Sequence, residues 1–245
     1  MGILFLCLGL SKRLVEHLPS WVEIPFPSYT ILKSPETIIS SIGIPFFVVG
    51  MIACLSVFHL FIRANVEQEV AADSRSAQMR WNLIAFSSLF VAGIGAIGAA
   101  VIHVQPDIFK AIHQPETQTM STFINSTCGM MFILGATVHT LIMWLLISRS
   151  SHLGHLRIHW SHRFRVLAFS AAIFGLLIYI LAQPLFGPVS KTQMLRLLKI
   201  GAAAQWISIV SFMAIFTSYS SDLVLLLESL GESVFVFGRR DTRGQ

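Results

Sequence analysis

The sequence predicts an all-α fold, a polytopic transmembrane helix bundle, and three observations predict it. Hydrophobic residues make up 54% of the 245-residue chain, charged residues only 12%, and the mean hydropathy is +0.72. A soluble domain carries about 25% charge, so a soluble enzyme, a disordered tail and a secreted disulfide scaffold are all excluded by composition. The apolar residues also fall in runs long enough to cross a bilayer, which takes about 20 residues of helix. Those runs lack strand alternation, and in hydrocarbon only helices or closed barrels satisfy every backbone N–H and C=O.

Five spans follow in order: Ile38–Ile62, Trp81–His103, Phe123–Ile147, Val166–Gln183 and Ile200–Tyr219. Each is rich in Leu, Ile, Phe, Ala and Gly, and each is bounded by charge, Pro or aromatic anchors. All Lys, Arg, Asp and Glu are expected outside the span interiors. Before them, Ile3–Leu10 is apolar but too short to cross, and reads as an interfacial stub. After them, Leu223–Phe237 is apolar but interrupted by Glu228, Gly231 and Glu232. It reads as an extension of the last helix that settles on the interface. The chain therefore divides into a stub and lumenal segment (residues 1–37), a helical membrane domain (38–222) and an amphipathic cytoplasmic tail (223–245).

Lys and Arg set the orientation. Ten lie in the loop Arg63–Arg80, the loop Ser148–Arg165 and the tail, against seven on the other side, which places those loops and the C-terminus in the cytoplasm. The net charge of +5 then reflects loops beside anionic lipid, not nucleic-acid binding. Membrane lipids are the expected partners. Cys7, Cys54 and Cys128 sit in apolar surroundings at spacings that suit neither a disulfide ladder nor a zinc site.

With the spans free of charge, uncharged polar groups become the candidates for function, because a polar group in hydrocarbon needs a partner. On this topology Glu36, His103, Gln105, Asn125, Gln183 and Gln205, the last beside Trp206, gather at the lumenal side. They suit a chamber for a lipid headgroup; interhelical hydrogen bonding is the plainer reading. His139, well inside the third span, is expected to be neutral and bonded to a neighbouring helix. His59 lies near a helix end and is expected to reach the interface. In the cytoplasmic loop, His152, His155, His159 and His162 recur on one helical face beside Arg157, Arg163 and Arg165. A solvated loop, or one that grips anionic lipid, is expected; no Cys or acid completes a metal site. No cofactor, metal or catalytic constellation is expected. Gly93, Gly95, Ala96, Gly98, Ala99 and Ala100, with Gly201–Ala204, read as close helix crossings.

The last span reads Q-W-I-S-I-V-S-F-M-A-I-F-T-S-Y-S-S-D from Gln205. This resembles the damage-regulated autophagy modulator (DRAM) family and its relatives in glycosylphosphatidylinositol remodelling and phosphoinositide-kinase regulation. Trp206, Phe212, Phe216 and Asp222 fall at the family's spacing. Pro25–Glu36, with its Pro35-Glu36 pair, resembles the lumenal Pro-rich segment, and Ile102–Gln105 the motif after the Gly-rich helix. Three departures stand out. Gln205 replaces the family's Glu, Leu223 replaces an aromatic after Asp222, and the first of six spans is represented only by Met1–Leu10. The resemblance implies a multi-pass endomembrane protein (lysosomal, endosomal or Golgi, with the plasma membrane an alternative) acting as a non-enzymatic regulator or scaffold. A lipid-remodelling enzyme or accessory factor is the alternative reading, and a transporter the third.

Overall fold

A computed structural model of the chain describes residues 36–69, 72–102, 120–149, 160–182 and 191–241. Five helices occupy them: α1 (Glu36–Glu69), α2 (Ala72–Val101), α3 (Met120–Arg149), α4 (Trp160–Leu181) and α5 (Lys191–Asp241). Each is long and apolar enough to cross a membrane, and there is no strand among the described residues. Pro45 lies inside α1, where a membrane helix tolerates it because neighbours re-satisfy the freed carbonyl.

Successive helices run antiparallel, as their contacts show. The last turn of α2 meets the first turns of α3 through Asn125, while His59 near the end of α1 meets Asn82 near the start of α2. One end of the bundle therefore holds the end of α1, the start of α2, the end of α3 and the start of α4. It is called here the α1–α2 end.

Two seams join backbone to backbone. Gly95 and Gly135 bring α2 and α3 together so closely that a Cβ on Gly135 would lie 2.6 Å from Ala92 N and 2.7 Å from Ser88 O. At the α4–α5 seam, a Cβ on Gly175 would lie 2.8 Å from Ala204 O. Ser208 crosses the same seam, donating through Oγ to Ala172 O at 3.0 Å. Lipid tails are as apolar as leucine, so helices associate here by close van der Waals packing and short polar bonds, for which small residues clear the space.

The third seam is made of side chains. Phe212, Phe216 and Tyr219 recur at spacings of four and three, which is one face of α5. That face lies against α1 and α3. Phe212 meets Phe132 with ring centroids 6.0 Å apart, and Tyr219 meets Phe58 at 5.3 Å and His139 at 5.9 Å. The outward faces carry Ile42, Phe46, Leu167 and Phe174, all exposed in the isolated chain and apolar enough for acyl chains.

The helices differ from the sequence expectation at the α1–α2 end, where they overrun the apolar cores. α4 begins at Trp160, ahead of Val166, while α5 continues to Asp241, in line with the expected extension of the last helix past Tyr219. Arg165 and Asp222 thereby fall inside helices, and both are buried. Both flank the expected span interiors, yet they are buried between helices and do not stand at an exposed interface. α5 also starts earlier than expected, at Lys191, so Gln205 sits about four turns into it instead of one.

The α2–α3 seam generates a stability prediction. Gly135→Val forces backbone apart and should cost about 1–3 kcal/mol, read as a lower midpoint for thermal loss of the monodisperse species in detergent. Gly50→Ala, where an added Cβ meets nothing within 4 Å, should shift that midpoint little.

Candidate functional site

A guanidinium and a carboxylate enter the bundle from opposite strands of one hairpin. Arg165 stands one turn into α4, and Asp222 lies on α5 three residues beyond Tyr219. Their side chains meet at 2.7 Å, Nη2 to Oδ2, and are 5% and 0% exposed. The surroundings complete the pair's coordination. Ser161, one turn before Arg165, donates its hydroxyl to Asp222 Oδ1. Arg165 Nη1 reaches Ser218 Oγ at 3.4 Å. The guanidinium also lies over the Tyr219 ring, 4.3 Å from its centroid, a cation–π contact of about 2 kcal/mol when desolvated.

The line of aromatic and imidazole rings continues inward from Tyr219. His139 on α3 touches both Tyr219 and Phe216, and its Nδ1 lies 2.9 Å from Ala85 O on α2. His59 on α1 is the next ring, 5.4 Å away between centroids and inclined by 71°. Its Nδ1 lies 2.7 Å from Asn82 Oδ1, and Asn82 returns a bond from Nδ2 to His59 O at 3.1 Å. All five helices thus meet in one connected cluster at the α1–α2 end. His139 matches its expected part, bonded to a neighbouring helix. His59 does not reach the interface: it is 3% exposed and faces inward, because Asn82 offers it a partner there.

At the opposite end, Asn125 is buried and donates through Nδ2 to Ala99 O at 2.9 Å and Ile102 O at 2.5 Å. The last carbonyls of a helix have no partner within it, so Asn125 caps α2 from α3. Thr127 bonds back within its own helix to Phe123 O. Gln205 is half-buried, and its Oε1 is enclosed with no hydrogen-bond partner among the described residues. It stands seven residues before Phe212, on the face of α5 that carries the aromatic ridge. Trp206 beside it is half-buried.

The structure therefore places the remaining sequence candidates as follows. Phe212 and Phe216 are core residues of the α5 seam. Arg163 is exposed at the start of α4, as a lipid-facing cation would be. Arg165 is not: its guanidinium is held by Asp222 and Tyr219 and is turned away from any headgroup. Glu36 opens α1. Pro35, His103, Gln105, His155, Arg157, His159 and Gln183 lie outside the described residues; Asn125, Gln205 and Trp206 are the lumenal candidates whose side chains are described.

Sequence reasoning missed His59, Asn82, Ser161 and Tyr219 as members of one cluster. The available signal was the continuation of the Phe212–Phe216 spacing to Tyr219 and on to Asp222.

Five apolar helices with a polar cluster shared between them define a polytopic helical membrane protein. Residues 1–225 match the family model described as the Frag1/DRAM/Sfk1/Cwh43P N-terminal domain, and the chain belongs to that family. No curated protein and no solved structure matches the chain in the corresponding searches.

The ion pair gives a double-mutant prediction. Removing one partner leaves a buried, uncompensated charge, so Arg165→Met or Asp222→Leu alone should each cost about 3–5 kcal/mol. The double variant should be more stable than either single one, because no orphan charge remains. Thermal midpoints of the three purified variants decide it; additive losses would contradict the pairing.

Proposed function

We propose that the protein is a non-enzymatic regulator or scaffold of an internal membrane, resembling the autophagy modulators, which holds a lipid at the end of the bundle marked by Gln205. The observation that carries this reading is the enclosed Oε1 of Gln205, which has no hydrogen-bond partner among the described residues. A buried acceptor without a donor is disfavoured by about 1–3 kcal/mol, and a headgroup hydroxyl or ammonium arriving from the bilayer would supply the donor. Trp206 next to it suits the boundary between acyl chain and headgroup, where indoles concentrate in membrane proteins.

Several other interior polar side chains support a structural role for the bundle. Asn125 caps α2, Asn82 and His59 join α1 to α2, Ser208 joins α4 to α5, and Arg165 is neutralised by Asp222. These groups are held by neighbouring helices instead of lining an aqueous route. A scaffold needs a fixed shape, and this pattern of mutual satisfaction supplies one. A lysosomal, endosomal or Golgi membrane is the setting the reading adopts from the family resemblance.

Gln205 also bears on the chemistry. A carboxylate at this position could take up and release a proton, whereas an amide donates and accepts hydrogen bonds without charge. The proposed site is therefore a recognition site and not an acid–base one. Native mass spectrometry of the purified protein should show a co-purifying lipid. Gln205→Leu should lower its occupancy on the order of threefold to tenfold, the worth of one hydrogen bond. Equal occupancy in the variant would remove the lipid part of the proposal.

A further inference from the structure

The two interior histidines are both held in one tautomer, and the reason lies in their partners. His139 Nδ1 faces the carbonyl oxygen of Ala85 at 2.9 Å. A carbonyl can only accept, so Nδ1 carries the hydrogen. His59 Nδ1 faces Asn82 Oδ1 at 2.7 Å. The amide's orientation is fixed by its other end, where Nδ2 donates to His59 O at 3.1 Å. Oδ1 therefore accepts, and again Nδ1 carries the hydrogen. In each neutral ring this leaves the lone pair on Nε2.

Both Nε2 atoms are buried, and neither has a hydrogen-bond partner among the described residues. The two rings are neighbours, 5.4 Å apart between centroids, and they are 3% and 0% exposed. Phe86 packs on His59, and Phe216 and Tyr219 pack on His139. Two neighbouring rings, each with a buried acceptor that no donor among the described residues meets, call for a species with two donors.

We propose that His59 Nε2 and His139 Nε2 together form a binding site for one internal water molecule, which donates one O–H to each ring. Water supplies two donors in a compact body, and buried water characteristically sits where two to four polar groups lack other partners. Two O–H···N bonds of ordinary length from one water span acceptors roughly 4–5 Å apart, of the same order as the separation of these rings. A lipid hydroxyl has one donor and would leave one lone pair unmet. The water joins α1 to α3 beside the ridge of α5, so the contact between the histidines is made through a ligand and not by ring packing alone. The site meets α5 at Phe216 and Tyr219, about three to four turns along the helix from Gln205, and is independent of the lipid proposal.

Nitrogen-15 NMR of the full chain in lipid nanodiscs, with 15N-labelled histidine, reads the site directly. A pyridine-type imidazole nitrogen moves upfield when it accepts a hydrogen bond, and moves much further when it is protonated. The expected spectrum shows His59 and His139 with Nδ1 protonated, Nε2 at the hydrogen-bonded acceptor position, and magnetisation transfer from water to both rings. In His59→Phe the His139 Nε2 signal should move downfield, toward the unbonded value, and its water transfer should fall. Unbonded Nε2 shifts without water transfer in the wild-type protein would overturn the proposal, and so would a proton resident on either Nε2. Stoichiometric transition metal in the purified protein would overturn it as well, assigning the lone pairs to a metal. The wild-type spectrum decides the matter even where His59→Phe does not fold.

Discussion

The bundle depends on the ion pair between Arg165 and Asp222, because it is what allows two full charges to stand inside helices that face hydrocarbon. A lone arginine or aspartate at that depth would be too costly to keep. Paired at 2.7 Å, and further bonded to Ser161, Ser218 and the Tyr219 ring, they instead fix how α4 and α5 sit together. Tyr219 then fixes how that hairpin meets α1 and α3, through Phe58 and His139. One electrostatic contact sets the position of the ring on which the next layer of packing rests. In general a buried ion pair is weak evidence for stability, since desolvation offsets the attraction. Its value here is geometric: it specifies one register for α4 against α5.

Polar groups elsewhere follow the same economy of partners. Three helix junctions carry a side chain whose bond crosses to a neighbour: Asn82 from α2 to α1, Asn125 from α3 to α2, Ser208 from α5 to α4. Such bonds in membranes contribute about 0.6 kcal/mol each on average, too little to drive association singly. Their spacing matters more than their sum. They stand at different depths, so sliding any helix by one turn breaks a bond and leaves a bare carbonyl in its place.

Helix count, order and approximate span limits were legible in the sequence, because hydropathy reports directly on what lipid tolerates. The clustering of glycine and alanine in α2 was legible for a similar reason, since small residues in membrane helices mark close approach. The ion pair was not. Arg165 lies next to Arg163 and the histidine-rich loop, and reads there as one more interfacial cation. Asp222 follows a run of serines and reads as the end of a span. Only the packing of α4 against α5 turns the two toward each other, and hydropathy ends the apolar spans at Val166 and Tyr219, just short of both residues. Gln205 was read in the right helix but too near its end. Asn125 was read as a polar group at a span entrance, and its use as a cap on another helix depends on a contact 23 residues away in sequence. The pairing of His59 with Asn82 was hidden likewise, since each sits near a helix end that composition alone assigns to the interface.

The three seams differ in what touches across them, and that difference has a mechanical consequence. Between α2 and α3, and between α4 and α5, backbone meets backbone over glycine, and a main chain has no rotamers with which to yield. Across the ridge of Phe212, Phe216 and Tyr219, only side chains meet, and rings can tilt and slide past one another. Two backbone seams, α2–α3 and α4–α5, are thus joined through a ridge of side chains, the contact best able to yield. Any lateral stress from the surrounding bilayer is taken up first at that ridge of rings.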